Sequence, residues 1–404
     1  MSLKLLYPDY YSHLKYRGSL MISGLADMGA QDCFLSVLNE FTTDPGPVIL
    51  LTAESGGIPH EMLRILSARR DIRFLNCSWG ASDFPVIDLL SASDTAPGKA
   101  SLIAGFLLDH DDASRMFDTA QRLLRDAVLA SSISGEVVRM HNVLKWDPDS
   151  IRRMLRRSDA LSEHFLREED MFLSTEMASA CWVELNTRAA TLSTKIIENL
   201  SGGMSVREIF TPNTMLLLKV PSGSSADARS AMRFFRGMAE LVLLQLKGLN
   251  ERKECWHAAA YNGIGIPPNL LRQFLERAAD AQHLSIPLCL YQPQVSELLH
   301  ICGTDIVGQF GSYAVFCTTE GSFWSQVYGT SLRPEITQSF GNGKTAAQQI
   351  RGGVVAHPGG KKTTVTVARV EKLNYEARAF SDLSKNTFLW YSVRDRRRGR
   401  REWR

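Results

Sequence analysis

Short runs of almost unbroken apolar residues punctuate the chain and constrain its fold more than any other feature. Val48-Ile-Leu-Leu-Thr52, Met215-Leu-Leu-Leu-Lys-Val220 and Ile286 to Tyr291 each stand between turn residues or polar stretches. A strand with one face in water alternates, whereas a continuous apolar run of this length suits a strand covered on both faces. Segments with helical periodicity lie between the runs. Cys33, Phe34, Val37, Leu38 and Phe41 share one face of a helix over 30–41, which Asp44-Pro45-Gly46-Pro47 ends. Strand, helix, strand, helix, strand over 20–76 predicts a parallel sheet with right-handed crossovers.

The first of these units has a particular shape. Leu20 to Ile22 reads as a strand, Gly24 and Gly29 bracket a loop, and a helix starts at Ala30. That is the layout of a phosphate-binding loop, where backbone N–H groups and a helix N-terminus cradle an anion. Such a loop needs Lys and then Ser or Thr directly after its second glycine. Ala30 and Gln31 hold those places, and Asp27 and Asp32 put negative charge where phosphates approach. The shape is present without its chemistry.

Composition excludes several classes. The most apolar windows, 215–220 and 241–246, are too short to span a membrane, and Lys4, Pro8 and Asp9 interrupt any signal-like N-terminal run. Seven cysteines are scattered singly without a Cys-x-x-Cys pair, and the nine histidines show no ligand spacing, so reduced thiols and no metal are expected. No Gly-x-Ser-x-Gly elbow supports a hydrolase. The net charge is +3, but seven arginines against two acids crowd residues 394–404, leaving the rest slightly acidic. The tail, not the body, is the basic surface.

Organisation follows from the periodicity. Residues 1–134 form the first part of an α/β core. Residues 135–203, with candidate helices over 149–157, 158–166 and 168–199, read as an all-α insertion. Residues 204–375 return to strands and helices, and 376–404 form a C-terminal segment ending in the basic tail. In the second part, 226–250 reads as a long helix, 255–261 as a strand, 268–283 as a helix, 312–318 as a strand and 363–370 as an edge or ribbon strand. The run Ser331 to Ser339, with Arg333, Pro334 and Glu335, does not read as an apolar strand, so Phe340-Gly-Asn-Gly-Lys-Thr345 is expected to be a surface turn, not a phosphate loop.

This order of pieces resembles the coupling proteins of conjugation and type IV secretion, the TraD/TraG class. The resemblance is carried by the glycine loop with strand 48–52, the helical insertion, Met204-Ser-Val-Arg-Glu-Ile-Phe210 leading into Met215 to Pro221, and the segment Pro267 to Gln292. It implies a RecA-like P-loop NTPase-type sheet with an inserted all-α subdomain, a hexamer with nucleotide at subunit interfaces, and partners among the secretion components. It also implies a glutamine, here Gln292, that senses the terminal phosphate. Family members usually carry N-terminal membrane helices. This chain begins almost at the first core strand, so a cytoplasmic protein reaching the inner membrane through partners is expected.

The departures from that family coincide. It places two acids at the end of an apolar run to hold magnesium and polarise water. The matching stretch lies within Cys255 to Gly263, and no Asp or Glu occurs between Glu254 and Glu276 in any register. Lysine, hydroxyl and both acids are missing together. The sequence therefore predicts a non-hydrolysing relative, with a vestigial nucleotide site at Gly24, Gly29, Ala30, Gln31 and Gln292, no catalytic residue, and no cofactor. Two alternatives stay open. One is an active translocase with displaced catalytic groups, for which Lys344 is the candidate lysine and ATP with magnesium the cofactor. The other is a DNA- or membrane-surface module using Arg394, Arg396, Arg397, Arg398, Arg400, Arg401 and Arg404, in a tail expected to be disordered on its own. Arg152, Arg153, Arg156 and Arg157 read as a solvated helix face.

Overall fold

The structure is a computed structural model that describes residues 18–55, 57–69, 71–108, 114–192, 194–223, 226–284, 286–303, 305–342, 354–356, 361–393 and 397–402. It begins with β1 (Leu20–Ser23), α1 (Ala30–Phe41), β2 (Val48–Ala53), α2 (His60–Ser67) and β3 (Arg73–Asn76). After β4 (Ile87–Asp88) the chain is helical: α3 (Ala96–Leu107), α4 (Ser114–Ile133), α5 (Met140–Val143), α6 (Pro148–Leu155), α7 (Glu163–Leu173), α8 (Glu176–Thr191) and α9 (Thr194–Asn199). The single helix expected over 168–199 is broken because Ser174 ends α7 and the Thr175 hydroxyl accepts the Ala178 N–H at 3.2 Å, starting a new helix. α4 packs along α3, α6 and α8. Arg152 and Arg156 of the basic face pair with Asp170 of α7.

Short β5 (Met204–Ser205) pairs with β4, and α10 (Val206–Ile209) opens with a capping box between Ser205 and Glu208. The core resumes with β6 (Thr214–Val220), α11 (Ala226–Arg252), β7 (His257–Tyr261), α12 (Pro268–Asp280), β8 (Leu288–Gln292), α13 (Val295–Cys302), α14 (Asp305–Gly308), β9 (Ser312–Val315) and α15 (Gly321–Tyr328). It closes with β10 (Thr330–Asn342), β11 (Val354–Ala356), β12 (Lys361–Leu373), α16 (Ala377–Ser381), β13 (Thr387–Ser392) and β14 (Arg397–Glu402).

Nine strands form the main sheet in the order β14-β13-β9-β1-β8-β7-β2-β6-β3. From β9 to β3 every pairing is parallel, while β13 runs antiparallel to both of its neighbours. All six residues of β2 are buried, as a strand covered on both faces requires. Alternate side chains serve the two faces. Leu50, Leu217, Ala259, Cys289 and Ile22 meet α1 and α2 on one side, and Ile49, Leu51, Leu218, Leu290 and Met21 meet the larger helical layer on the other. Each fully buried aliphatic side chain contributes about 1.5–3 kcal/mol, so the apolar runs alone commit the chain to this sandwich.

One expectation is corrected. Residues 330–342 are not a non-strand lead into a turn: they pair antiparallel with 361–373 over their whole length in a ribbon apart from the main sheet. Pro334 lies on an edge strand, the place in a sheet where proline is tolerated. Within the basic tail, residues 397–402 find a partner in the folded chain. Arg397 to Glu402 pairs with Thr387 to Ser392 at the sheet edge, because an unpaired strand offers backbone donors and acceptors whatever its side chains.

Candidate functional site

In an open parallel sheet, ligands bind at the carboxyl ends of the strands where the winding reverses. Here β1 lies between β8 and β9 while its own connection through α1 leads away to β2, so the switch point falls at the carboxyl end of β1. Gly24, Gly29, Ala30, Gln31 and Gln292 all lie on this edge, which the structure thereby brings together.

The loop after β1 is tightly held. Gly24 has φ +128°, and a Cβ there would stand 2.8 Å from Phe316 Cβ and 2.9 Å from the Cys317 carbonyl oxygen. The Leu25 N–H donates to that same carbonyl at 2.9 Å. A 3-10 turn over Ala26–Met28 follows, in which the Met28 and Gly29 N–H groups donate to the carbonyls of Leu25 and Ala26. Three amides that a phosphate loop turns towards its anion are thus used within the protein. Gly29, at φ +104°, forms the N-cap of α1. Ala30 is fully buried, and Gln31 Nε2 points to Met62 Sδ of α2 at 3.1 Å.

A segment distant in sequence covers the same helix end. The Asn386 N–H donates to the Met28 carbonyl at 2.9 Å, and a Cβ on Gly29 would stand 2.5 Å from Asn386 Oδ1. Asn386 takes the left-handed conformation, φ +61°, in the turn that leads into β13. Below the loop, Tyr291 of β8 donates its hydroxyl to the Gly24 carbonyl at 3.4 Å. Its ring lies 4.9 Å from Tyr261 and 6.0 Å from Phe34 of α1. Burial, with lesser help from Tyr261 and the Asp27 charge, pushes the Tyr291 hydroxyl well above its ordinary pKa.

At the end of β7 the residues are Tyr261, Asn262 and Gly263. The Asn262 N–H donates to the Tyr291 carbonyl at 2.8 Å, and its Oδ1 accepts the Ile264 N–H at 3.3 Å. Gln292, fully buried, accepts the Gly263 N–H on Oε1 at 2.9 Å and donates through Nε2 to the Gln294 carbonyl at 2.7 Å. Its amide closes the strand ends. The carboxylates bordering the edge are engaged as well: Glu54 accepts from Ser222 N–H and hydroxyl, and Glu320 accepts the Val295 and Ser296 N–H groups at the start of α13.

These residues do not fit a magnesium nucleotide. Magnesium needs oxygen ligands in octahedral array, commonly a carboxylate, and past Tyr261 the β7 end offers an amide engaged with the Ile264 N–H and a glycine. A triphosphate needs cationic and amide donors; the loop has no cation, and its Leu25, Met28 and Gly29 amides are bonded within the protein. Sequence reasoning missed Asn386, Tyr261 and Tyr291. Asn386 carried no signal, since only tertiary folding brings it to Gly29; the two tyrosines each stand at the end of an apolar run, where a strand's last residue meets the crevice.

Of the tail arginines, Arg398 and Arg400 are exposed on β14, with Arg398 donating to the Tyr328 carbonyl at 3.5 Å. Arg397 and Arg401 are placed on the same strand by its backbone. Arg394, Arg396, Arg404 and Lys344 lie outside the described residues. Among the described residues no helix is long and apolar enough to cross a membrane.

No family model matches the sequence, and no curated protein matches it. Solved structures do match its fold. The unbound monoclinic form of the bacterial conjugative coupling protein TrwBdeltaN70 superposes with TM-score 0.59 at 13% identity, over 96% of this chain and 85% of that one. TrwB with the ATP analogue ADPNP gives 0.57 at 13% identity, over 96% and 86%. TrwB with ADP and Mg2+ gives 0.55 at 13%, over 96% and 85%. At such identity the likeness carries the fold: a RecA-like α/β sheet with an added helical layer.

Proposed function

We propose that this chain, built on the coupling-protein fold, is a component of a conjugative or type IV secretion machine that works without hydrolysing nucleotide. Its role is then structural: an adaptor subunit that keeps the shape of a motor and presents that shape to other secretion components, to copies of itself or to DNA. The reading places it in the cytoplasm, reaching the inner membrane through partners.

One observation carries the proposal. At the switch-point edge, Ala30 and Gln31 stand where a phosphate loop needs cation and hydroxyl, β7 ends in Tyr261, Asn262 and Gly263 without an acid, and Asn386 packs on the N-terminal end of α1. Losing any one group would slow hydrolysis. Losing all of them, with the Leu25, Met28 and Gly29 amides bonded internally, supports loss of the reaction itself.

The test is calorimetric titration of the purified chain with ATP and magnesium, alongside a phosphate-release assay with and without DNA. No heat and no release are expected. Micromolar binding with turnover would sink the proposal and turn attention to Lys344.

A further inference from the structure

At the opposite edge of the sheet, the amino-terminal ends of β2 and β7 gather Asp44, Cys255 and His257. His257 opens β7 and is 4% exposed. Its ring lies flat on Phe41, with 4.2 Å between centroids and 8° between planes, and its Nδ1 is 2.9 Å from the Ile286 carbonyl oxygen. A carbonyl only accepts, so Nδ1 carries a proton and Nε2 is aimed the other way. There it meets Asp44 Oδ2 at 3.1 Å and Cys255 Sγ at 3.6 Å. The donor atoms of all three side chains lie within 4.8 Å of one another. The turn before β2 makes the approach possible: a Cβ on Gly46 would stand 2.3 Å from the Cys255 carbonyl oxygen.

A neutral Nε2 and a carboxylate oxygen are both acceptors, and at 3.1 Å they repel unless a cation lies between them. A proton suffices for that pair and gives an imidazolium–carboxylate ion pair. It leaves the thiol, aimed at the same nitrogen, without a role. A metal ion engages all three. Tetrahedral zinc, with bonds of about 2.0–2.3 Å, sets its ligand atoms roughly 3.3 Å apart for nitrogen and oxygen and roughly 3.6 Å for nitrogen and sulfur. The observed spacings are 3.1 and 3.6 Å.

We propose that Asp44, Cys255 and His257 form a three-ligand site for a divalent transition-metal ion of the zinc type, with solvent as fourth ligand. Thiolate and imidazole select such an ion over magnesium or calcium. The Nδ1–H bond to the Ile286 carbonyl is the outer contact that fixes a metal-bound histidine in its ligating tautomer. The Asp44 side chain, 37% exposed, leaves an entry path from solvent. A bound ion straps the turn after α1 to the start of β7, and this role does not depend on the proposed function.

The full-length chain, stripped with a chelator, is titrated with Co2+ and then with Zn2+. Expected are one Co2+ per chain, visible bands of tetrahedral cobalt, a thiolate-to-cobalt charge-transfer band and its loss on adding Zn2+. Cys255→Ser removes the charge-transfer band, and Asp44→Asn, on a turn where the amide fits the same space, weakens cobalt binding by about 100-fold. Zn2+ raises the thermal midpoint of the wild-type chain and of neither variant. If Cys255→Ser does not fold, Asp44→Asn decides alone. Absence of a stoichiometric cobalt spectrum at micromolar metal, or a spectrum and affinity unchanged in the variants, overturns the site and leaves the ion pair alone.

Discussion

Replacing Asp126 with asparagine should change how the stability of this protein depends on pH. Asp126 on α4 is fully buried. Its Oδ1 accepts from Arg125 at 2.7 Å, while Glu169 of α7 is held by Arg125 at 2.8 Å and Arg122 at 2.9 Å. Burial, reinforced by the hydrogen bond to Glu169, pushes the Asp126 carboxyl up to about 8. If both groups were carboxylates they would only accept, and Asp126 Oδ2 would have no partner. A proton on Oδ2 makes that oxygen a donor to Glu169. Burial also pulls on Glu169, but the hydrogen bonds from Arg122 and Asp126 and the Arg125 charge outweigh it and hold that carboxyl low.

The sign follows. The folded chain binds the Asp126 proton more tightly than the unfolded chain, whose aspartates titrate near 3.9. The stabilisation is therefore full below that value and is lost as pH rises through about 8. Glu169 acts in the other direction, and only under more acid conditions. Between pH 5 and pH 7 the Asp126 contribution falls by roughly 1.4 kcal/mol per unit, or about 2–3 kcal/mol in all. Asparagine keeps the shape, the donor and the acceptor of the protonated acid but does not titrate. Urea unfolding of both proteins at pH 5 and pH 7, followed by circular dichroism, isolates the effect because all other groups cancel in the difference. Asp126→Asn should gain about 2 kcal/mol relative to wild type from the lower to the higher pH. A difference that stays constant between the two would refute the shared-proton account.

Three further outcomes can be checked. Gly24→Ala should cost about 2–4 kcal/mol, because it adds a Cβ at φ +128° within 2.8 Å of Phe316; a thermal midpoint shifted by less than a degree would contradict the packing. Restoring the loop with Ala30→Lys and Gln31→Thr should not restore nucleotide binding by calorimetry, since position 30 is fully buried and Asn386 covers the helix end; gain of micromolar ADP binding would mean that the edge can open. If the tail strand holds DNA, Arg398→Ala with Arg400→Ala should lower the slope of log affinity against log salt by about 2, and an unchanged slope would exclude that surface.

The local pattern of the sequence was enough to write most of the core. Apolar runs at 48–52, 215–220 and 286–291 had to be covered on both faces, which called for parallel strands between helices, and Gly24 and Gly29 marked where the chain turns from β1 into α1. The absence of acids between Glu254 and Glu276 was equally legible, because no register could supply them. What failed locally did so for identifiable reasons. Residues 330–342 carry too few apolar side chains to announce a strand, yet 361–373 supplies a ladder of backbone partners for them. The tail looked too charged to fold until β13 offered an edge. Period and polarity record what a residue's own neighbourhood demands. They do not record which distant segment lands on it, and Asn386 on Gly29, or Asp44 beside a histidine 213 positions away, are of that second kind. Crossover connections that carry the chain past intervening strands bring such residues together, so only the tertiary structure decided that Asn386 covers the N-terminal end of α1 and that Asp44, Cys255 and His257 meet at the opposite edge.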